Sequence, residues 1–257
     1  MNQVRATFTK TLKEFLRVKA TLFWTIAWPI LWVLLGSFAF SQDIPEEILP
    51  LVRGAITIPM IVFALMIAGM ANIPGNIGED RERGLLSKLR SMPVSPWKDF
   101  TGRFLALLTF SCVAVILVGA VGYSVGARVS GSVADGLTSV VLLLVAITAS
   151  AGIGMLIGTF IKNVHGATMT GVGVSVLSAA ISGVMIPYSS LPGILQSFAR
   201  VYPVASVNSM VIYLMVGEEY TGYNPLTAGQ VVMTITVAVV LFVAGLTAYS
   251  RLCWKKE

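Results

Sequence analysis

The sequence predicts an all-α polytopic membrane protein with six transmembrane helices. An interfacial amphipathic helix precedes them, a basic helix joins the second to the third, and a short re-entrant or surface helix precedes the last. Three observations predict this. Of 257 residues 56% are hydrophobic and only 12% charged, about half the charged share of a soluble domain. Six apolar stretches, at 21–40, 54–74, 104–126, 137–161, 166–187 and 230–249, reach the roughly 20 residues that cross a hydrocarbon core. The basic residues between them also fall unevenly, as counted below.

Residues 1–20 form the first unit. Val4, Phe8, Leu12, Phe15 and Leu16 recur at helical spacing, with Arg5, Lys10, Lys13 and Arg17 flanking the stripe. Such a helix lies along a membrane surface, either as a topology anchor on anionic lipid or as a lever joining a cytoplasmic partner to the first span. No small-residue cleavage site follows, so the first span is expected to remain in the protein. Residues 21–257 form one six-span domain. In its first span Trp24, Trp28 and Trp32 share a face beside Pro29. Trp24 and Trp28 belong to an interfacial belt, and the deeper Trp32 packs on another helix or touches a transported molecule.

After the second span, residues 78–96 read GEDRERGLLSKLRSMPVSP. Written as a helix, this segment places Leu85, Leu86, Leu89 and Met92 on one stripe, with Arg81, Arg83, Ser87, Lys88 and Arg90 elsewhere, so it can lie flat on an apolar surface. Cys112 in the third span and Cys253 in the tail are expected to fill space. In the fourth span Ser150, Gly154 and Gly158 repeat a small-residue spacing, and in the fifth Thr168, Gly171, Ser175, Ser178 and Ser182 form a seam. The two helices are expected to pack closely on each other, although the hydroxyls can alternatively line a weakly polar route. Residues 189–224 then form a long outside segment whose stretch 191–202 is too short to span, while the hydrophobic run 204–216 predicts order. It is either a lid over an exit or an external cap.

With six spans the termini share a side. That side carries 15 of the 18 basic residues: Arg5, Lys10, Lys13, Arg17 and Lys19; Arg81, Arg83, Lys88, Arg90, Lys98 and Arg103; Lys162; Arg251, Lys255 and Lys256. Arg53, Arg128 and Arg200 remain opposite, with Asp43, Glu46, Glu47, Asp135, Glu218 and Glu219. The positive-inside rule then places both termini in the cytoplasm of a plasma-membrane protein. The net charge of +6 reflects topology and implies no nucleic-acid partner.

None of the six apolar stretches contains Asp, Glu, Lys or Arg, and the single histidine, His165, lies at the mouth of the fifth. That weakens a proton-driven carrier, an intramembrane protease and a metal-dependent membrane enzyme, all of which need ionisable groups at depth. The chain has no Cys/His metal spacing and no glycine-rich phosphate loop. No catalytic, metal or cofactor residue is expected, and energy for transport would enter from another polypeptide.

Asp80-Arg81-Glu82-Arg83-Gly84-Leu85-Leu86, followed by Leu89, Pro93, Val94 and Ser95, resembles the acidic-x-Glu-x-Gly, leucine-pair, Pro-Val-Ser pattern of the type-2 ABC exporter permeases. Ser182-Gly183, Pro187, Leu191-Pro192 and Tyr202-Pro203 resemble the same family's fifth-span end and outside loop. The resemblance covers nearly the whole chain. It implies a pair of permeases, identical or closely related, above two separate cytoplasmic ATPase subunits that hold ATP and magnesium and press on the loop after the second span. That loop would be the coupling helix, with Glu79, Asp80, Arg81, Glu82, Arg83, Gly84, Leu85, Leu86 and Leu89 as coupling residues. Its acids suit a helix start and its Arg and Lys side chains suit an acidic partner; a helix resting on lipid headgroups is the plainer reading. The resemblance also puts the second and fifth spans on the substrate route and the first and fifth near the dimer axis, which would place Trp32, Gly171, Ser175, Ser178 and Ser182 at the pathway or interface. The family often carries an arginine after the Tyr/Asn-Pro element; residues 204–217 hold none.

The family includes drug, lipid and polysaccharide exporters. Few aromatic platforms lie deep in these spans, which favours a hydrophobic or amphipathic substrate. A passive channel or facilitator without an ATPase, and a membrane anchor that recruits a soluble enzyme, remain as alternatives at this point.

Overall fold

The computed structural model describes residues 3–39, 44–92 and 94–254. Pro93, the Arg90 side chain, Asp43, Lys255 and Lys256 lie outside the described residues. Among the described residues every regular element is helical. Six helices are long and apolar enough to cross a membrane: Lys19–Ala39, Leu49–Glu82, Pro96–Ser124, Val133–Phe160, Val164–Ile181 and Ala228–Cys253. The chain is an all-α multi-pass membrane protein.

Several helices outrun the apolar stretches that announce them. The second extends to Glu82 and the third begins at Pro96, so Asp80, Asp99 and Arg103 sit inside helices and are buried. The expectation of spans without ionisable residues therefore holds for the apolar cores and fails at their ends. Charge ends a hydropathy run, but a helix continues wherever side-chain pairing offsets the cost of burying that charge. The fifth span is shorter than expected. It stops at Ile181, and the turn through Gly183 (φ +86°) sends the chain into the segment before the sixth span. In that segment the stretch 191–202 forms an amphipathic helix Gly193–Val201, and the ordered hydrophobic run forms a buried helix Pro203–Met215. Tyr202 is extended ahead of Pro203, as a residue before proline favours. Every residue from Pro203 to Ile212 is buried, because this helix packs between the second and fourth spans.

The second span is the most enclosed of the six, with Phe63, Met66, Ile67 and Met70 fully buried. Proline shapes it. Pro74 brings no N–H to the Met70 carbonyl, and the turn at Ala68–Asn72 widens to a π turn. The first span repeats the device, with a π turn at Phe23–Ala27 just before Pro29. The two turns meet: Asn72 Nδ2 donates to Thr25 Oγ1 over 3.1 Å in the buried interior.

The small-residue stripes behave differently from expectation. A Cβ at Gly154 in the fourth span would overlap the Gly69 carbonyl, and one at Gly171 in the fifth would overlap the Met70 carbonyl. Both stripes therefore dock on the π turn of the second span rather than chiefly on each other. With little hydrophobic drive between helices in lipid, such backbone approach is how they gain contact. The reason is geometric, since the widened turn pushes its backbone outward and only residues without side chains accommodate it.

The helix Gln3–Arg17 packs along the start of the third span. It buries Thr11 and Phe15, the latter 5.5 Å from Phe110 between ring centroids. At the opposite end of the bundle the chain is zipped by backbone bonds, Arg128 N to Pro50 O at 2.9 Å and Ser130 N to Met215 O at 2.8 Å.

Candidate functional site

Residues 78–92 do not form one helix. The second span ends at Glu82, Gly84 takes a left-handed conformation (φ +66°), and a separate helix runs Leu85–Ser91. No atom crowds a Cβ placed at Gly84, so the glycine serves the backbone angle that stops the first helix. Ser87, Lys88, Ser91 and Met92 are exposed, Leu85 and Leu89 are half-buried, and Leu86 is buried. The single apolar stripe read from the sequence is thereby divided, with Leu86 turned to the body and Met92, 55% exposed, turned outward.

The charged residues before Gly84 are committed internally. Asp80, 0% exposed, pairs with Lys10 of the N-terminal helix and with Arg103 of the third span. In this structure it is a buried partner and presents nothing to a docking subunit. Arg103, itself buried, spreads its guanidinium over three acceptors. Nε donates to Asp99 Oδ2 at 2.8 Å, and the terminal nitrogens reach Asp80 and Asn76. Asp99 also accepts from Tyr249 of the sixth span at 2.7 Å and from Thr7 at 3.1 Å. Glu14 accepts from Asn76 and lies 3.5 Å from Lys10 and 3.6 Å from Arg83, while Arg83 also pairs with Glu79. Burial pushes the Glu14 carboxyl above its ordinary value, with Lys10 opposing the shift.

Arg81 and Glu82 reach the remaining spans. Arg81 donates to the Ile161 carbonyl at 3.1 Å, to the Thr159 carbonyl at 3.4 Å and to Cys253 Sγ at 3.2 Å. It thus satisfies carbonyls at the end of the fourth span and ties them to the sixth. Glu82 Oε1 accepts from the Val164 N–H at 2.9 Å, at the start of the fifth. Cys253, expected as a filler in the tail, is buried within this contact. Five residues, Glu79 to Arg83, therefore bind the N-terminal helix and the ends of four further spans into one charged hub, carrying the exposed helix Leu85–Ser91 beside it.

The other predicted residues separate. Gly171 and Ser175 are buried at the contact with the second span, and Ser175 Oγ donates back to the Gly171 carbonyl at 2.8 Å. Ser178 lies near the hydroxyl of Tyr202 at the start of the helix Pro203–Met215, and that hydroxyl donates to Met70 Sδ at 3.8 Å. Ser182 is buried where the fifth span ends. Trp32 continues a ladder, 6.2 Å from Trp28, which lies 5.6 Å from Trp24, and it lines a cavity of about 360 Å³ between the first two spans and the helix Pro203–Met215. The sequence reading missed Lys10, Asn76, Asp99, Arg103 and Tyr249 as a cluster, and Asn208 in the cavity wall. One signal was available: Asn76 with Asp80 and Asp99 with Arg103 stand four apart, the spacing that aligns side chains on one helix face.

Among the described residues no group of His, Cys, Asp and Glu could hold a metal ion. No curated protein matches the chain. A family model described as ABC-2 type transporter matches residues 2–216, a range that takes in the hub except its sixth-span residues Tyr249 and Cys253, the exposed helix, the first five spans and the helix Pro203–Met215. The chain therefore belongs to the ABC-2 type transporter family, as the membrane-spanning permease component that lacks the ATPase site and partners with ABC ATPase subunits.

Proposed function

We propose that this permease exports hydrophobic or amphipathic molecules. In this reading it works as a pair of permease subunits, identical or closely related, driven by two cytoplasmic ATPases that hold the ATP and magnesium. The observation that carries the reading is the exposed helix Leu85–Ser91 fixed to a charged hub. A soluble partner pressing on Ser87, Lys88 and Met92 meets a surface joined by a two-residue turn to most of the bundle. The ATPase contact then rests on Leu85, Leu89 and these exposed neighbours, while Glu79 to Arg83 pass motion inward.

The test is recovery of the ATPase with the tagged permease and substrate-stimulated hydrolysis in reconstituted membranes. Lys88→Glu combined with Met92→Asp is expected to lower recovery by about tenfold or more, because a carboxylate in an apolar contact lacks a partner. Unchanged recovery and coupling would remove this helix from the contact. Leu86→Asp would instead perturb folding, since Leu86 is buried within the chain.

Orientation follows from the same reading, with the hub, Leu85–Ser91 and both termini cytoplasmic. With single cysteines in a background lacking Cys112 and Cys253, an impermeant thiol reagent applied to intact cells is expected to modify position 47 and spare position 88. The reverse pattern would invert the protein in the membrane.

A further inference from the structure

At the end of the bundle opposite the hub, a groove of about 370 Å³ runs between the second, third and fourth spans and the helix Pro203–Met215. Ile58, Ile61, Leu143, Val211 and Met215 give it apolar walls. Arg128 stands at its rim beside Gly54, where a Cβ would meet the Arg128 carbonyl. From Gly54 to Ile61 the second span rises about 10 Å, so the groove stays within one leaflet of a hydrocarbon core about 30 Å thick. Outer faces flank it: Ile116, one turn from Gly119, is 62% exposed, and Val140, one turn from Gly136, is 56% exposed. The groove therefore opens toward the side of the bundle.

Its rim is cationic and held in place. Arg128 Nη1 donates to the Ala127 carbonyl at 2.9 Å and to the Tyr123 carbonyl at 3.3 Å, and the guanidinium carbon lies 4.3 Å from the Tyr123 ring centroid. Those contacts fix the planar fork, while Nε and Nη2 make no hydrogen bond among the described residues. The side chain is exposed, so that free edge is open to a ligand. Arg53 Nη1 reaches the same turn, 2.9 Å from where a Cβ at Gly126 would stand. Among the described residues neither arginine forms an ion pair, and Asp135 at the start of the fourth span bonds Ser132 instead.

We propose that this groove binds a phospholipid, with the phosphate on Arg128 and one acyl chain along Ile58, Ile61 and Leu143. Arg53 adds a second positive charge beneath the same turn. A guanidinium fork matches phosphate oxygens, and an apolar slot directly below it matches the chain that such a phosphate carries. Free phosphate would leave the slot unused, and an uncharged chain would leave the fork unused. Such a site needs neither an ATPase nor an assigned leaflet, so it stands apart from the export reading.

The probes are phosphatidylglycerol with a diazirine on one acyl chain and the diacylglycerol of the same chains, which lacks the phosphate. Each is added to the full chain in dodecyl maltoside micelles and irradiated, and the labelled residues are mapped by peptide mass spectrometry. Label on Ile58, Ile61, Leu143 and Met215 is expected to be about five- to tenfold greater from the phospholipid, the effect of a charge-assisted hydrogen bond at a partly solvated site. Arg53→Gln combined with Arg128→Gln is expected to erase that preference. Lys13→Gln combined with Arg17→Gln, at the opposite end, should leave it unchanged. Equal labelling of the groove by the two lipids in the unaltered chain overturns the site, and this comparison needs no variant to fold. A preference that survives loss of both groove arginines, or that falls with Lys13 and Arg17 instead, overturns it as well.

Discussion

Arg103→Met is expected to destabilise the folded permease by about 3–5 kcal/mol, the scale on which a buried ion pair fails when one partner is removed. Arg103 is the cation shared by Asp80 and Asp99, both at most 2% exposed. Its loss leaves two carboxylates inside the bundle with Lys10, among the described residues, as the remaining cation in direct contact with either. Arg103→Lys should recover only part of the stability, since one ammonium cannot reproduce a fork that reaches Asp99, Asp80 and Asn76 together. Adding Asp99→Leu to Arg103→Met should recover some as well by removing one stranded charge. Thermal unfolding in detergent ranks the four proteins. Indistinguishable melting of Arg103→Met and the unaltered chain would show that the hub does not hold the spans together.

The second large effect is expected at Gly171. A methyl group there would overlap the Met70 carbonyl, and backbone cannot step aside as a flexible side chain can. Gly171→Ala should cost about 1–3 kcal/mol by overpacking, and Gly171→Leu more. Gly173 provides the internal control. It lies two residues along the same helix, and a methyl group there would meet nothing within 4 Å, so Gly173→Ala should be neutral or stabilising by up to about 1 kcal/mol. Ser175→Leu should follow Gly171, because Ser175 is fully buried one turn along the helix, with its hydroxyl on the Gly171 carbonyl. Equal melting temperatures for Gly171→Ala and Gly173→Ala would remove the close approach as a source of stability.

The six spans were legible because run length alone reports the crossing of a hydrocarbon core. Their ends were not, since Asp80, Asp99 and Arg103 look solvated in one dimension and are buried only by one another. The spacing of Gly154, Gly158, Gly171 and Ser175 correctly marked faces without side-chain bulk. It did not say which helix fills them, because spacing describes one helix and contact needs two; here the second span fills both. In the coupling segment, amphipathic periodicity concealed a break that depends on the single backbone angle of Gly84. Asn208 gave no signal at all. An asparagine in an apolar run becomes notable only once Gly183, distant in sequence, occupies one end of its amide.

The second span, 34 residues from Leu49 to Glu82, is a continuous beam about 50 Å long, gripped near Met70 by the fourth and fifth spans and held by Asn72 to the first. That grip lies about 18 Å from the hub end and about 32 Å from the other, so it stands off-centre as a fulcrum. A rigid beam pivoting there would swing its far end the opposite way by nearly twice the distance, and the π turn at Ala68–Asn72 sits at the pivot itself. The far arm carries Ile56 and Met60, two walls of the cavity that Asn208 also lines. One helix, with no loop between its ends, thus joins the charged hub to a wall of the cavity.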